Sequence, residues 1–292
     1  MAEENVLMYK GHPLMRKDNM VYYGSMADSH IVMLQVLETK KAAVETDKTI
    51  YVTCHIDSVL PSPGANDNAS GIVGVLAMAR AFKNVPTNYN IQFITFGAEE
   101  VGLQGARYFA NNLSEQQIAD AIGNYNLDMV ATSQEDCVYI FMNSSTNPSA
   151  PVNDASLETH VTRMARNAAE ALDYDLEYYR TCYDRTTDHY ALHLVGIPAV
   201  EFDWRANAEG TAFEAYYHTR YDDFAHNFSR EKLKKQVESW IEYNGRIDLL
   251  RKGITVRLTT ITDLKNDKWT YIYDMTMDEP ICCFGKKKGG ES

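Results

Sequence analysis

Short apolar runs that end in acidic or other polar side chains alternate along this chain with longer stretches whose apolar positions recur at helical spacing. The first kind reads as buried strand, the second as amphipathic helix. TIYVTCHID is a β-branched run that delivers His55 and Asp57 at its carboxyl end. A glycine-bearing loop, PSPGANDNASG, leads into GIVGVLAMARAFKN, small and apolar at helical spacing, and NIQFITFGAEE follows as a strand ending in acids. Strand, helix and strand in so short a length predict a parallel crossover unit. The pattern continues with a helix at GLQGARYFANNL, strands at AIGNYNLDMV and CVYIFMN, a long helix at ASLETHVTRMARNAAEAL, and a strand at IPAVEF. The helix over residues 229–252 opens on Ser229 as its N-cap and closes before Gly253.

Both ends of the chain look like additions to this core. MVYYG and HIVMLQVL flank a polar break at residues 25–29 and predict a strand pair over about 19–38. ITVRLTTI and KWTYIYDMTM flank the turn TDLKND and predict a β-hairpin, followed by the polar tail GKKKGGES. The expected fold is α/β, a three-layer sandwich with a mixed, mostly parallel central sheet flanked by helices. It would form one domain over residues 1–252, with its core at about 49–252, and residues 253–292 would add the hairpin and tail.

Composition narrows the function classes. With 45% hydrophobic and 23% charged residues, the chain is ordinary for a globular protein. A net charge of -12 repels phosphate backbones and anionic lipid, so neither nucleic acid nor membrane is expected as a partner. Five scattered cysteines without a CxxC pair suggest neither a disulfide framework nor a cysteine-rich zinc module. The start, MAEENVLMYKGHPLMRKDN, lacks the pattern of a signal peptide, and no apolar run is long enough to span a bilayer. A soluble protein is expected, its compartment and oligomeric state left open.

In an open α/β sheet, ligands gather at the carboxyl ends of strands. The polar residues found there are His55, Asp57, Asp67, Glu99, Glu100 and Asp128. Five acids and a histidine so placed would repel one another unless cations neutralise them. Carboxylate and imidazole ligands suit zinc, with manganese or cobalt as alternatives.

The motifs CHIDS, GANDNASG, FGAEEVGLQGARYFA, NLDMV, TDHYALHLVGIPAVEF and YYHTRYDD, in this order, resemble the di-zinc aminopeptidases of the bacterial leucine aminopeptidase and aminopeptidase Y type. The resemblance implies two zinc ions bridged by Asp67, one completed by His55 and Asp128, the other by Glu100 and His218. It implies Glu99 as general base and Tyr217 as a hydrogen-bond donor to the developing oxyanion. Asp57 would orient His55, Asp222 would orient His218, and Asp188 would support the site. A cis peptide between Asp67 and Asn68 is expected as well. Asn68 stands where many relatives carry a second aspartate, and Thr186 stands where some carry an arginine of the amine pocket. The implied substrate is a peptide with a free N-terminus.

Each motif alone has a blander reading: a surface HxD, a solvated pair of acids at a helix start, a turn-forming aspartate, a packing histidine. Those readings do not account for five ligands in one order. The alternatives kept open are a single-zinc enzyme resembling glutaminyl cyclases, a carboxypeptidase, and an inactive binding protein on the same fold.

Overall fold

The computed structural model describes residues 7–9, 12–17, 20–23, 31–144, 158–171, 178–182, 187–207, 212–243, 254–263 and 268–277. Its centre is four parallel strands: β5 (Thr49–His55) and β6 (Asn90–Phe96) side by side, then β7 (Ala121–Leu127) beside β5, and β10 (Ala199–Arg205) beside β7. β4 (Ile31–Lys40) pairs antiparallel with β6, and β3 (Met20–Tyr23), β2 (His12–Lys17) and β1 (Leu7–Tyr9) extend that edge in antiparallel steps. On the other side β8 (Val138–Ser144) runs antiparallel to β10, and β9 (Tyr178–Cys182) closes the ten-stranded sheet parallel to β8. The expected mixed sheet is present, with its parallel part in the middle.

The strand period of two sends alternate side chains to two separate helical layers. Ile50, Val52 and Cys54 of β5 pack with Phe93 against α1 (Ser70–Phe82), α4 (His160–Ala171) and α6 (Arg230–Tyr243), where they meet Met78, Val161 and Leu233. Tyr51, Ile94 and Phe96 face the other way, onto α2 (Gln104–Asn111) and α5 (His189–Leu194), through Ala106, Tyr108 and Leu192. Burial on both faces explains why β5 reads as a continuous apolar run. All six of its residues after Thr49 are buried.

Several elements differ from the sequence pattern for local reasons. α4 begins at His160, five residues after the apolar periodicity suggests, because Thr159 and Thr162 cap its start: each hydroxyl accepts the other's backbone N–H, at 3.4 and 3.1 Å. α3 (Glu115–Asp120) is too short to show a period, but Ser114 and Gln117 form a reciprocal capping box at its start. β9 and α5 also go unmarked by periodicity. α6 is described to Tyr243, and its expected end at residues 244–252 lies outside the described residues. The C-terminal hairpin forms as β11 (Ile254–Asp263) and β12 (Lys268–Met277), a sheet of two. No helix among the described residues is long and apolar enough to cross a membrane.

Candidate metal centre

Three loops at the carboxyl ends of the parallel strands meet over the sheet. β5 ends on His55, β6 runs into the turn with Glu99 and Glu100, and β7 is followed by Asp128. Asp67 comes from the helical turn Ala65–Ala69 that starts the crossover to α1, and His218 from the segment after β10. Asp67, Asp128 and Glu99 are buried, and His55 is fully so.

Of three groups of donor atoms among the described residues, two share Asp67: His55, Asp67 and Asp128, and then Asp67, Glu100 and His218. Within each triad the atoms lie within 4.8 Å of one another. The two oxygens of Asp67 face different histidines. Oδ1 is 3.2 Å from His55 Nε2, and Oδ2 is 3.1 Å from His218 Nε2. Each histidine also meets an acid of its own: His55 Nε2 is 3.2 Å from Asp128 Oδ1, and His218 Nε2 is 3.1 Å from Glu100 Oε2. His55 Nδ1 lies 3.0 Å from the carbonyl of Asp57, which can only accept, so that nitrogen carries the proton. In the neutral imidazole the Nε2 lone pair then points at two carboxylate oxygens. A lone pair against two anionic acceptors is tolerable only with a cation among them, either a proton or a metal ion, and the donor set of each triad fits zinc.

The electrostatics of these groups agree. Burial alone would lower the His55 pKa, but Asp128, with Asp57 and Asp67, holds it well above the ordinary imidazole value. Burial opposes the charge of Asp67 too, yet hydrogen bonds from His218 and His55 draw it down to about 2. Glu100 is pushed up to about 7 by burial and by Asp67, and Glu99 up to about 10 by burial first. At about 10 Glu99 holds its proton at neutral pH, and a cation among the neighbouring donors would lower that value toward the range a general base needs. One oxygen of Glu99 lies within 4.8 Å of donor atoms of both His55 and Glu100.

The backbone around these groups is unusual. The Asp67–Asn68 peptide is cis. Ala98, Met129 and His218 have φ of 56°, 53° and 57°, in the left-handed region disfavoured for residues with a Cβ. They sit immediately before Glu99, immediately after Asp128, and on a donor itself. Left-handed backbone angles at residues with a Cβ cluster where the surroundings over-determine the chain, often at functional sites.

Supporting side chains fix the loops. Both oxygens of Asp57 accept backbone N–H groups of the acidic turn, from Glu99 at 3.1 Å and Glu100 at 3.2 Å, so Asp57 ties the β5 end to the β6 end. Asp222, expected beside His218, sends its hydrogen bonds elsewhere: it accepts the backbone N–H groups of Asn66 at 2.8 Å and Asp67 at 3.1 Å. Asn227 joins Asp222 to Glu214 at 2.9 and 2.6 Å. Asn68 uses both ends of its amide, donating to the Leu127 carbonyl at 2.9 Å and accepting from Gly71 N–H at 2.9 Å. An aspartate there could not donate without a proton. Asp188 is fully buried at the start of α5, and burial, then the nearby acids, raise its pKa well above the usual carboxylate range. Tyr217 is half-buried, with burial raising its pKa, and its ring stacks on His218 at 3.7 Å.

Sequence reasoning overlooks Asn66, Glu214 and Asn227. Asn66 accepts from Ala131 N–H at 2.9 Å and so locks the Asp67 loop to the loop after β7. Nothing marks these residues in the sequence, because their partners, backbone and side-chain groups alike, are brought together only by the fold. The polar positions of NYNL did carry a signal. Asn124 and Asn126 form a buried ladder with Thr53 and Thr187, at 2.8 to 2.9 Å, beneath the site.

A parallel-centred sheet between helical layers, with histidine and carboxylate donors gathered at its strand ends, is the arrangement of the zinc exopeptidase fold. More particularly, the chain belongs to peptidase family M28, whose model matches residues 35–243. It is 38% identical over 186 residues to Aminopeptidase YwaD of Bacillus subtilis, a match covering 64% of this chain and 38% of that protein. It is also similar to the solved structure of BSAP, a zinc aminopeptidase from Bacillus subtilis, with a TM-score of 0.62 and 33% identity over 76% of this chain and 51% of that one. A glutaminyl cyclase from Porphyromonas gingivalis shares the fold, with a TM-score of 0.60 at 17% identity, over 79% of this chain and 82% of that one. The chain thus spans about half or less of the length of these Bacillus matches.

Proposed function

We propose that this chain holds a co-catalytic pair of zinc ions and hydrolyses the N-terminal peptide bond of peptides. The carrying observation is the orientation of Asp67, one oxygen toward His55 and the other toward His218, each histidine accompanied by its own acid. A carboxylate shared in this way offsets the repulsion of two dications roughly 3.5–4 Å apart. His55, Asp67 and Asp128 would hold one ion, and Asp67, Glu100 and His218 the other. Zinc, when bound, supplies polarisation of the scissile carbonyl and lowers the pKa of the attacking water.

The protein's own groups carry the proton. Glu99 takes it from the water as the oxygen attacks the carbonyl carbon. It returns the proton to the amine nitrogen as the carbon–nitrogen bond breaks. The Tyr217 hydroxyl donates a hydrogen bond to the carbonyl oxygen as charge develops there. Asp57 fixes the turn that carries Glu99 and Glu100 by accepting both of their backbone N–H groups. The names of the Bacillus relatives agree with an aminopeptidase. The glutaminyl cyclase neighbour supports the shared fold alone, and a single-zinc centre would leave one of the two triads without a purpose.

The test is hydrolysis of leucine p-nitroanilide by the wild type, by chelator-treated protein and by Glu99→Gln. Activity should disappear with the chelator and return with zinc. Loss of a general acid–base is expected to lower kcat by about 10²–10⁴-fold in Glu99→Gln while zinc stays bound. Activity surviving both treatments would sink this reading.

A further inference from the structure

The two histidines of the site are oriented by different means. His55 is fixed by its Nδ1–H on the Asp57 carbonyl. Among the described residues no hydrogen bond fixes Nδ1 of His218, whose ring instead lies against Tyr217, with centroids 3.7 Å apart and planes 21° from parallel. Tyr217 in turn stacks on Phe213, at 3.9 Å and 8°. On the far side of Phe213 the guanidinium of Arg205 sits 3.9 Å from the ring centroid. Four planar groups thus form one continuous stack that ends on a donor of the metal centre.

The outer plate of that stack is itself clamped. Glu201, Asp203 and Arg205 are alternate residues at the end of β10 and so share a face of the sheet. Glu201 and Asp203 are fully buried, and Arg205 almost so. The Arg205 guanidinium turns back along the strand to pair with Asp203 through Nε and with Glu201 Oε1 at 3.4 Å. His189 Nδ1 lies 3.6 Å from the other oxygen of Glu201. A guanidinium paired with two buried acids presents a fixed plane, which a lysine cannot offer.

We infer that Arg205 is a positioning residue for His218: acting through Phe213 and Tyr217, it sets the imidazole plane and so the affinity of the metal that His218 and Glu100 would hold. The inference rests on the two-metal reading above. It also accounts for the buried Glu201, Asp203 and Arg205 set, which the proposed chemistry leaves without a role.

The test is zinc binding rather than turnover. Chelator-stripped wild type, Phe213→Leu, Arg205→Lys and His218→Ala are titrated with zinc against a competing chromophoric chelator, and native mass spectrometry counts the ions bound. Phe213→Leu leaves the buried ion pairs intact, and Arg205→Lys keeps their charge, so each removes one plate of the stack without stripping the acids of a cation. Both variants should weaken the binding step that His218→Ala abolishes by at least tenfold and leave the other step at its wild-type affinity. Two steps weakened alike, or neither weakened, would overturn the role of Arg205 while leaving two metals in place. A wild type that binds one zinc would overturn the two-metal reading and this inference with it.

Discussion

Asp222 illustrates how a residue can matter at a site without touching its donors. Its carboxylate gathers the backbone N–H groups of Asn66 and Asp67 and the Asn227 amide, so it fixes the loop that carries the shared carboxylate. Removing it leaves four donors, the Ser62 hydroxyl at 3.4 Å among them, without this acceptor in a buried place. Asp222→Ala should therefore cost about 2–4 kcal/mol of stability by urea denaturation, since a buried donor left without an acceptor costs about 1–3 kcal/mol and such costs are not additive. A cost below about 0.5 kcal/mol, the range of ordinary surface changes, would show that the loop holds itself. His55, Asp67, Glu100 and Asp128 stood out in the sequence as polar residues following apolar runs, whereas His218 and the cis peptide came only through family resemblance. The hydrogen-bond direction of Asp222 was not legible, since HTRYDD places it four residues from His218 and says nothing of a loop more than 150 positions away.

At the scale of elements, the crossover from β5 to α1 decides where Asp67 points. α1 starts so close to the end of β7 that only glycine fits at its second residue. A Cβ on Gly71 would stand 2.5 Å from the Leu127 carbonyl and collide with the Asn68 amide. Gly71→Ala should push α1 away from the strand and cost about 1–3 kcal/mol, readable as a lower urea midpoint, together with weaker zinc binding through Asp67. Full stability in that variant would show that the contact is not tight. The strands and helices of the core were legible because each buries a face with its own period. α3, β9 and α5 were not, being too short to show one, although SEQQ held the capping signal for α3. The start of α4 was misplaced because apolar spacing runs on upstream of the threonine pair that caps it.

For the molecule as a whole, the site sets how stability depends on pH and metal. In the metal-free protein Glu100 is raised to about 7 and Glu99 to about 10, and Asp188 is raised as well. A carboxyl whose folded pKa exceeds its unfolded value contributes stability that is present at low pH and is lost as pH rises through the folded value. His55 and His218, also raised, act in the same direction. Asp67, lowered to about 2, acts in the opposite direction only in strong acid. The melting temperature of chelator-treated protein should therefore fall between pH 5 and pH 9. Zinc, which binds the deprotonated donors, should restore stability most at the alkaline end. A metal-free protein that grows more stable over this range would contradict these assignments.

The central claim is that Asp67 joins two metal ions, and anomalous diffraction at the zinc edge from zinc-loaded crystals tests it most directly. The expected map holds two peaks roughly 3.5–4 Å apart, one beside each carboxylate oxygen of Asp67, with His55 and Asp128 at the first and Glu100 and His218 at the second. A single peak, or a pair that does not share Asp67, would contradict it.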